Sequence, residues 1–435
     1  MKNIKFKYQK YPEYKDSGVE WLGDIPKGWE LKRLKYLGKM YAGLSDKKGA
    51  DFSKVFQKDK KPFIPFTNIF KNTIIDESDF QYVKIKSNEK QNIVKKEDIL
   101  FLMSSETIED IGKTSLYNGE QKVYLNSFCK GFRIKENLID AYFINWLLQT
   151  KAYRIYFSIV GRGFTRINIK QEYVNNLLAI LPPLPEQTAI ANFLDDKTAK
   201  IDRAVAQKEK LIALLKERKQ IIIQNAVTKG LNPNVKLKES GVEWIGEIPE
   251  HWEVKRLKYE LKSSSEKVFS KSTDLTYIGM ENIESKTGIW LKQKTETEGL
   301  ANKFQIGDIL FGKLRPYLSK VYLAEFDGIC STEFIVYRCS NPEYFKFLLI
   351  SYSFIDFINS STYGAKMPRA NSEWIGNQFI PIPFITEQKQ IVEHIETQSA
   401  KIDQAISLQQ KQIEKLKEYK TVLIDSAVTG KIKVS

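Results

Sequence analysis

The sequence predicts an α+β chain in which two globular domains, related by a pseudo-dyad, sit at opposite ends of an antiparallel two-helix coiled coil. Three observations predict it: a segment that occurs twice, a long helical pattern that also occurs twice, and the order in which they alternate. Residues 17–36 read SGVEWLGDIPKGWELKRLKY and residues 240–259 read SGVEWIGEIPEHWEVKRLKY, identical at fifteen of twenty positions with an offset of 223. Residues 186–228 align without a gap on 387–429 at an offset of 201, with 18 of 43 positions identical. The chain is therefore two copies of one unit, each a globular segment followed by a long helix.

Taken in chain order, the elements are a first globular domain over 1–180, a long helix over 181–230, a second domain over 231–381 and a second long helix over 382–435. The pattern W-x-G-x-I-P-x-x-W opens both domains, with Trp21 and Trp29 in one and Trp244 and Trp252 in the other. These rings could stack on bases, but at the start of a domain they read as a packing staple. Short strand-like runs and turns follow, with shared landmarks: TNI at 67–69 parallels ENI at 281–283, and DILF at 98–101 parallels DILF at 308–311. GRGFTRIN at 161–168 resembles GAKMPRAN at 364–371. The offset shrinks through 214, 210 and 203 to 201, the trace that variable loops on a fixed frame would leave. Apolar helices are expected at 141–148 and 345–354. Each domain closes on a proline-bearing stretch, LPPLPEQ or IPFITEQ, and proline favours the first turn of a helix over its interior.

The helices themselves carry a heptad seam. Ile201, Val205, Lys208, Ile212, Leu215, Lys219 and Ile222 alternate by four and three, as do Ile402, Ile406, Gln409, Ile413, Leu416, Lys420 and Leu423. No proline or glycine interrupts 186–228 or 387–429, so helices of roughly 40 residues and about 60 Å are expected, long enough for a coiled coil. The polar entries Lys208 and Gln409 are equivalent positions that would fix register at some cost in stability. Connectivity sets direction: the first helix leads through TKGLNPNVK into the second domain, so the second helix must run back antiparallel to pack on the first.

With 435 residues, 42% hydrophobic and 12% aromatic, the chain can bury two cores. Three cysteines (Cys129, Cys330, Cys339) and two histidines (His251, His394) suit neither a disulfide framework nor a His-built metal site. No apolar run approaches membrane-spanning length, and a cytoplasmic protein is expected. The net charge is +15; residues 186–229 contribute nine basic and six acidic side chains (+3) and 387–433 eight and seven (+1), leaving +11 on the globular parts and flanks. That balance admits a polyanionic partner without requiring one.

Candidate contact residues follow from type and setting. Lys313, Arg315, Tyr317 and Lys320 lie in FGKLRPYLSK after a strand-like run, with Lys113 at the comparable place in the first copy; basic and aromatic loops suit phosphate and base contact. Arg162, Arg166, Lys366 and Arg369 sit beside glycines, where a phosphate can approach the backbone. Catalytic signatures are missing from the sequence: it has no phosphate loop G-x-x-x-x-G-K-[ST], no G-x-G-x-x-G, no adenine-methyltransferase run of a short polar residue, two prolines and an aromatic, and no proline–aspartate dipeptide. No catalytic residue and no metal are expected.

At this point the residues resemble the specificity subunit of type I restriction–modification enzymes. The likeness rests on the doubled W-x-G-x-I-P-x-x-W openings, GDILFGKLRPYLSK with FDGICSTEF, LPPLPEQ, and AKID followed by the helix ending AVT. It covers essentially the whole chain. It implies that the two domains are α/β target-recognition domains, each reading one half of a split, asymmetric double-stranded DNA sequence. It also implies that two methyltransferase subunits dock on the helices and methylate adenine with S-adenosylmethionine held on the partner, none being bound by this chain. A translocating restriction nuclease subunit can join that core. From the residues alone a second reading stays open, a coiled-coil interaction scaffold whose basic domains bind an acidic protein.

Overall fold

In the computed structural model, which describes residues 8–135, 139–293, 295, 297–364 and 366–434, the duplicated opening segment folds the same way twice. Tyr14–Asp16 pairs antiparallel with Asp24–Pro26, and Leu237–Glu239 with Glu247–Pro249, every partner displaced by 223. The ion pair across this ribbon is kept with its signs exchanged, Lys27–Glu13 at 2.7 Å and Lys236–Glu250 at 2.8 Å. The tryptophans are structural. Trp29 and Trp252 are each 1% exposed, and their Nε1–H groups donate to Glu186 (3.2 Å) and Glu387 (3.0 Å) in the first turn of the long helices. Trp21 and Trp244 pack edge-on against Tyr153 and Phe354.

The chain divides into two compact units. One runs as far as Gln207 and resumes at Gln412; the other is Lys208–Lys411. In the first unit a four-stranded antiparallel sheet orders Thr114–Leu116, Ile99–Leu102, Cys129–Ile134 and Gly38–Ala42; in the second the order is Val321–Leu323, Ile309–Gly312, Phe334–Arg338 and Lys262–Ser264. The DILF run supplies the buried inner strand each time. Period-2 alternation sends Ile99 and Phe101 to the helical core and Leu100 and Leu102 to a second core, and Ile309 and Phe311 are likewise separated from Leu310. The second core lies against another four-stranded sheet holding one parallel pair, Lys60–Ile64 with Tyr124–Leu125 in the first unit and Tyr277–Ile278 with Gly328–Cys330 in the second.

These registers locate the deletions. The offset is 223 at Gly38–Ala42, 214 at Phe63, 210 at Ile99–Leu102, 207 at Thr114–Leu116, 205 at Cys129–Ile134 and 201 from the helices onward. Every step falls in a connection and none inside a strand of the frame.

The helical layer corrects one expectation. A single helix over 345–354 is not formed; Pro342–Ile350 and Tyr352–Ser360 are separated at Ser351, whose backbone is extended. The Ser351 hydroxyl donates to Leu348 O (2.7 Å) and so competes with continuation of the helix. Thr150 breaks Ala141–Leu148 from Lys151–Val160 in the same way, bonding Leu147 O at 2.9 Å.

The long helices are Leu184–Lys229 and Ile385–Val428, 46 and 44 residues. Pro185 sits in the first turn, where its missing N–H costs nothing. Gln187 and Gln388 tie each start to the preceding prolines, donating to Pro182 O (2.9 Å) and Pro383 O (3.0 Å). Both helices feed both cores: Ile190, Leu194, Ile201, Leu423 and Ala427 in the first unit, Ile223, Ala226, Val227, Ile391 and Ile395 in the second. Within the second unit Lys208 Nζ donates to Gln409 (3.0 Å) and Lys219 pairs with Asp403 (2.8 Å), so the helices run antiparallel there. In the first unit Lys420 pairs with Asp202 at 2.7 Å. Of the seam positions, Ile201, Ile402, Ile406, Ile413 and Leu423 are buried, and Val205, Lys208, Ile212, Leu215, Ile222, Gln409 and Leu416 half-buried. Among the described residues no helix is long and apolar enough to cross a membrane.

Candidate nucleic-acid interface

The inner strand of each main sheet ends at a pair of loops. In the second unit, the chain leaving Ile309–Gly312 is stitched to 363–370: Lys313 N donates to Glu333 O (2.9 Å), Ala370 N to Lys313 O (3.0 Å), and Arg315 N to Pro368 O (2.7 Å). Arg315 takes a left-handed backbone, φ +50°, which places its guanidinium against Lys366 O at 3.4 Å with Nε buried and unpartnered. The first unit uses the same stitch, Ile169 N to Met103 O at 3.0 Å, and pairs Ser104–Ser105 with Ile167–Asn168.

Each loop is a five-residue excursion closed by two reciprocal main-chain hydrogen bonds. Arg162 and Asn168 close the first, at 3.0 and 2.8 Å; Tyr363 and Arg369 close the second, at 3.3 and 3.1 Å. Both excursions open on a glycine with positive φ, Gly163 at +145° and Gly364 at +92°, a conformation that side chains disfavour. This corrects the likeness of GRGFTRIN to GAKMPRAN at an offset of 203. The loops register at 201, so the counterpart of Arg369 is Asn168, and that of Arg166 is Met367.

The candidate residues separate accordingly. Lys313, Arg315, Lys366 and Arg369 meet on one loop pair, and Arg369 forms a bidentate pair with Glu333 (Nε–Oε2 3.1 Å, Nη2–Oε1 2.8 Å). Lys313, Glu333, Tyr363, Arg369 and Asn371 line an open cleft of about 550 Å³. Arg166 stacks over the Phe128 ring at 4.9 Å, with Glu106 3.7 Å away. Arg162 instead turns back to cap the helix Lys151–Val160, donating to Ile159 O and to Gly161 O. Lys113 and Lys320 prove to be each other's counterparts: Leu102 N bonds Lys113 O as Gly312 N bonds Lys320 O, both at 2.9 Å. Both reach inward, Lys113 to Asp110 (2.7 Å) and the Phe70 ring (4.2 Å), Lys320 to Met280 O (2.5 Å). Burial pushes the Lys320 pKa below its ordinary value, with Glu281 opposing the shift. Tyr317 faces a separate cavity of about 150 Å³ beside Tyr352 and Asn359.

Sequence reasoning passed over the apolar loop tips. Phe164 is fully exposed, and Tyr363 and Met367 are exposed at 64% and 57%. The signal was present, since large apolar residues beside glycines and cations have no core to enter. Selection on charge alone skipped them.

A family model described as the type I restriction modification DNA specificity domain matches residues 26–213 and 249–418. The chain is 24% identical over 431 residues to the type I restriction enzyme MjaVIII specificity subunit of Methanocaldococcus jannaschii, covering 94% of each. It is 26% identical over 297 residues to the EcoDI specificity subunit of Escherichia coli, covering 62% of this chain and 65% of that one. A solved structure concerned with complex assembly and conformational transition of the type I R-M system shares the fold, with a TM-score of 0.66 at 15% identity over 94% of this chain and 99% of that one.

Proposed function

The chain belongs to the type I restriction modification DNA specificity family, and from that premise we propose that it reads a bipartite, asymmetric DNA target, one half-site per unit. The observation that carries this reading is a main sheet with the same strand order and pairing in both units while the loops at the end of the inner strand differ. A shared main sheet with unlike side chains at matching places is what two readers of unlike half-sites require. Lysines and arginines on these loops supply salt-dependent affinity, and a few side chains at base edges supply discrimination.

In this reading the chain performs no bond-making step. Two methyltransferase subunits dock along the long helices, hold S-adenosylmethionine and draw the target adenine out of the stack; a nuclease and translocase subunit can add to that assembly. The uninterrupted helices then set the distance between half-sites, as fixed linkages do in dimeric readers generally. Footprinting of the chain assembled with its methyltransferase partner tests this: two short protected tracts with a constant gap are expected, and one continuous tract would refute it. Deleting one heptad from both helices should shorten the gap and leave the half-sites unchanged.

A further inference from the structure

We propose that each unit reads a base through an arginine seated on a platform residue at one shared place in the fold, Arg166 on Phe128 in the first unit and Arg369 on Glu333 in the second. The inference deepens the DNA-reading function and rests on it. Phe128 and Glu333 are counterparts, because Met103 N donates to Phe128 O (3.3 Å) as Lys313 N donates to Glu333 O (2.9 Å). The arginines come from different positions of equivalent loops, Arg166 from within its excursion and Arg369 from the closing position, yet each guanidinium settles on the counterpart platform of its own unit. The arginines and Phe128 keep about half their surface in water: 50% for the Arg166 side chain, 45% for Arg369 and 49% for Phe128.

The two platforms hold the guanidinium by different chemistry. A ring beneath Arg166 engages the face of the guanidinium and leaves its N–H edges open. Glu106 stands 3.7 Å away and is 80% exposed, so it competes weakly. Arg166 therefore presents donors alone, the pattern that matches O6 and N7 of guanine. Glu333 occupies Nε and Nη2 of Arg369, leaving Nη1 as donor beside a carboxylate with spare acceptor capacity. A donor beside an acceptor fits a base-pair edge that carries an acceptor next to an amino group. Phe128 and Glu333 act as positioning residues, and the difference between them gives the two units different base preferences at the same point of the fold.

The test is binding of DNA libraries, randomised through each half-site, by the full chain assembled with its methyltransferase partner. Arg166→Gln should abolish the guanine preference at one position by about 5- to 150-fold and leave the other positions intact. Phe128→Ala should relax that same position, and Phe128→Tyr should retain it. Should Phe128→Ala fail to assemble, Phe128→Leu removes the π face while keeping volume and reads the same position. Arg369→Gln and Glu333→Gln should each relax one shared position in the other half-site. A uniform loss across all sequences, with the salt slope reduced by about one, would mark a phosphate contact and overturn the proposal. So would relaxation by Arg166→Gln with no effect of any Phe128 variant. A wild-type complex without base preference would overturn the underlying reading itself.

Discussion

Removing the buried aspartate at the start of each DILF strand should destabilise the first unit more than the second. Asp308 is 2% exposed and accepts Arg338 Nε and Nη2, both at 2.8 Å, and Gln305 N at 2.9 Å. Asp98, 1% exposed, accepts the equivalent three, Arg133 at 2.9 and 2.6 Å and Lys95 N at 2.8 Å, plus the Tyr41 hydroxyl at 2.5 Å. Breaking a buried charge pair from one side costs about 3–5 kcal/mol. The Arg338 side chain is 49% exposed and can rehydrate, so Asp308→Ala should cost nearer to about 2–3 kcal/mol. Asp98→Ala additionally orphans the Tyr41 hydroxyl, adding about 1 kcal/mol. The second unit has Ser264 where Tyr41 stands, with no such bond. Because two units need not unfold together, hydrogen exchange read peptide by peptide is the suitable assay. Asp98→Ala should lower protection in Ile99–Leu102 and Cys129–Ile134, and Asp308→Ala in Ile309–Gly312 and Phe334–Arg338. Equal losses, or a larger loss for Asp308→Ala, would refute the reasoning.

Three further outcomes are expected. Gly430→Ala should destabilise the first unit by about 1–3 kcal/mol, because φ is +75° and a Cβ would stand 2.4 Å from the Pro26 ring; Gly230→Ala, whose nearest contact would be Glu387 at 3.1 Å, should cost less by the same exchange measurement. Desolvation raises the pKa of half-buried Asp195, opposed by the hydrogen bond from Trp146 Nε1. The folded state then holds that proton to higher pH than the unfolded chain, so stability falls as pH rises through the carboxylate range. Asp195→Asn, which keeps an acceptor for Trp146, should raise the melting temperature at neutral pH, with the gain fading in acid; a gain constant with pH would contradict the cause. Replacing Lys208 and Gln409 together by leucine should raise thermal stability while loosening register, seen as mixed oligomers in sedimentation. A lower melting temperature would count against a seam role.

The frame was readable because its signals are local and repeated. A heptad pattern without proline or glycine over more than forty residues leaves the backbone few alternatives to a continuous helix. Both long helices begin and end within two residues of the uninterrupted stretches 186–228 and 387–429, the second stopping at Val428 short of the expected 435. The tryptophan openings repeat at constant spacing, and their burial follows from size and position. The break at Ser351 was not readable by periodicity, since the apolar spacing continues across it and only a hydroxyl–carbonyl bond interrupts the helix. Loop correspondence misled for a related reason. Matching glycine, arginine and asparagine letters gave one register, and the main-chain bonds of Arg162 with Asn168 and Tyr363 with Arg369 impose another.

By itself, then, the sequence determined the duplication, the antiparallel helices, the inner strands and the family, all of which rest on periodicity or near-identity that survives without knowledge of contacts. Tertiary structure decided which cations face solvent and what holds them. Lys320 reaches a carbonyl, and Arg166 and Arg369 settle on counterpart platforms, one in each unit. The physical reason is that a charged side chain on a loop has several partners within reach at similar free energy. For Lys320, Arg166 and Arg369 only neighbours brought close by folding, distant in sequence, select among them, whereas Arg162 finds its partners within three residues.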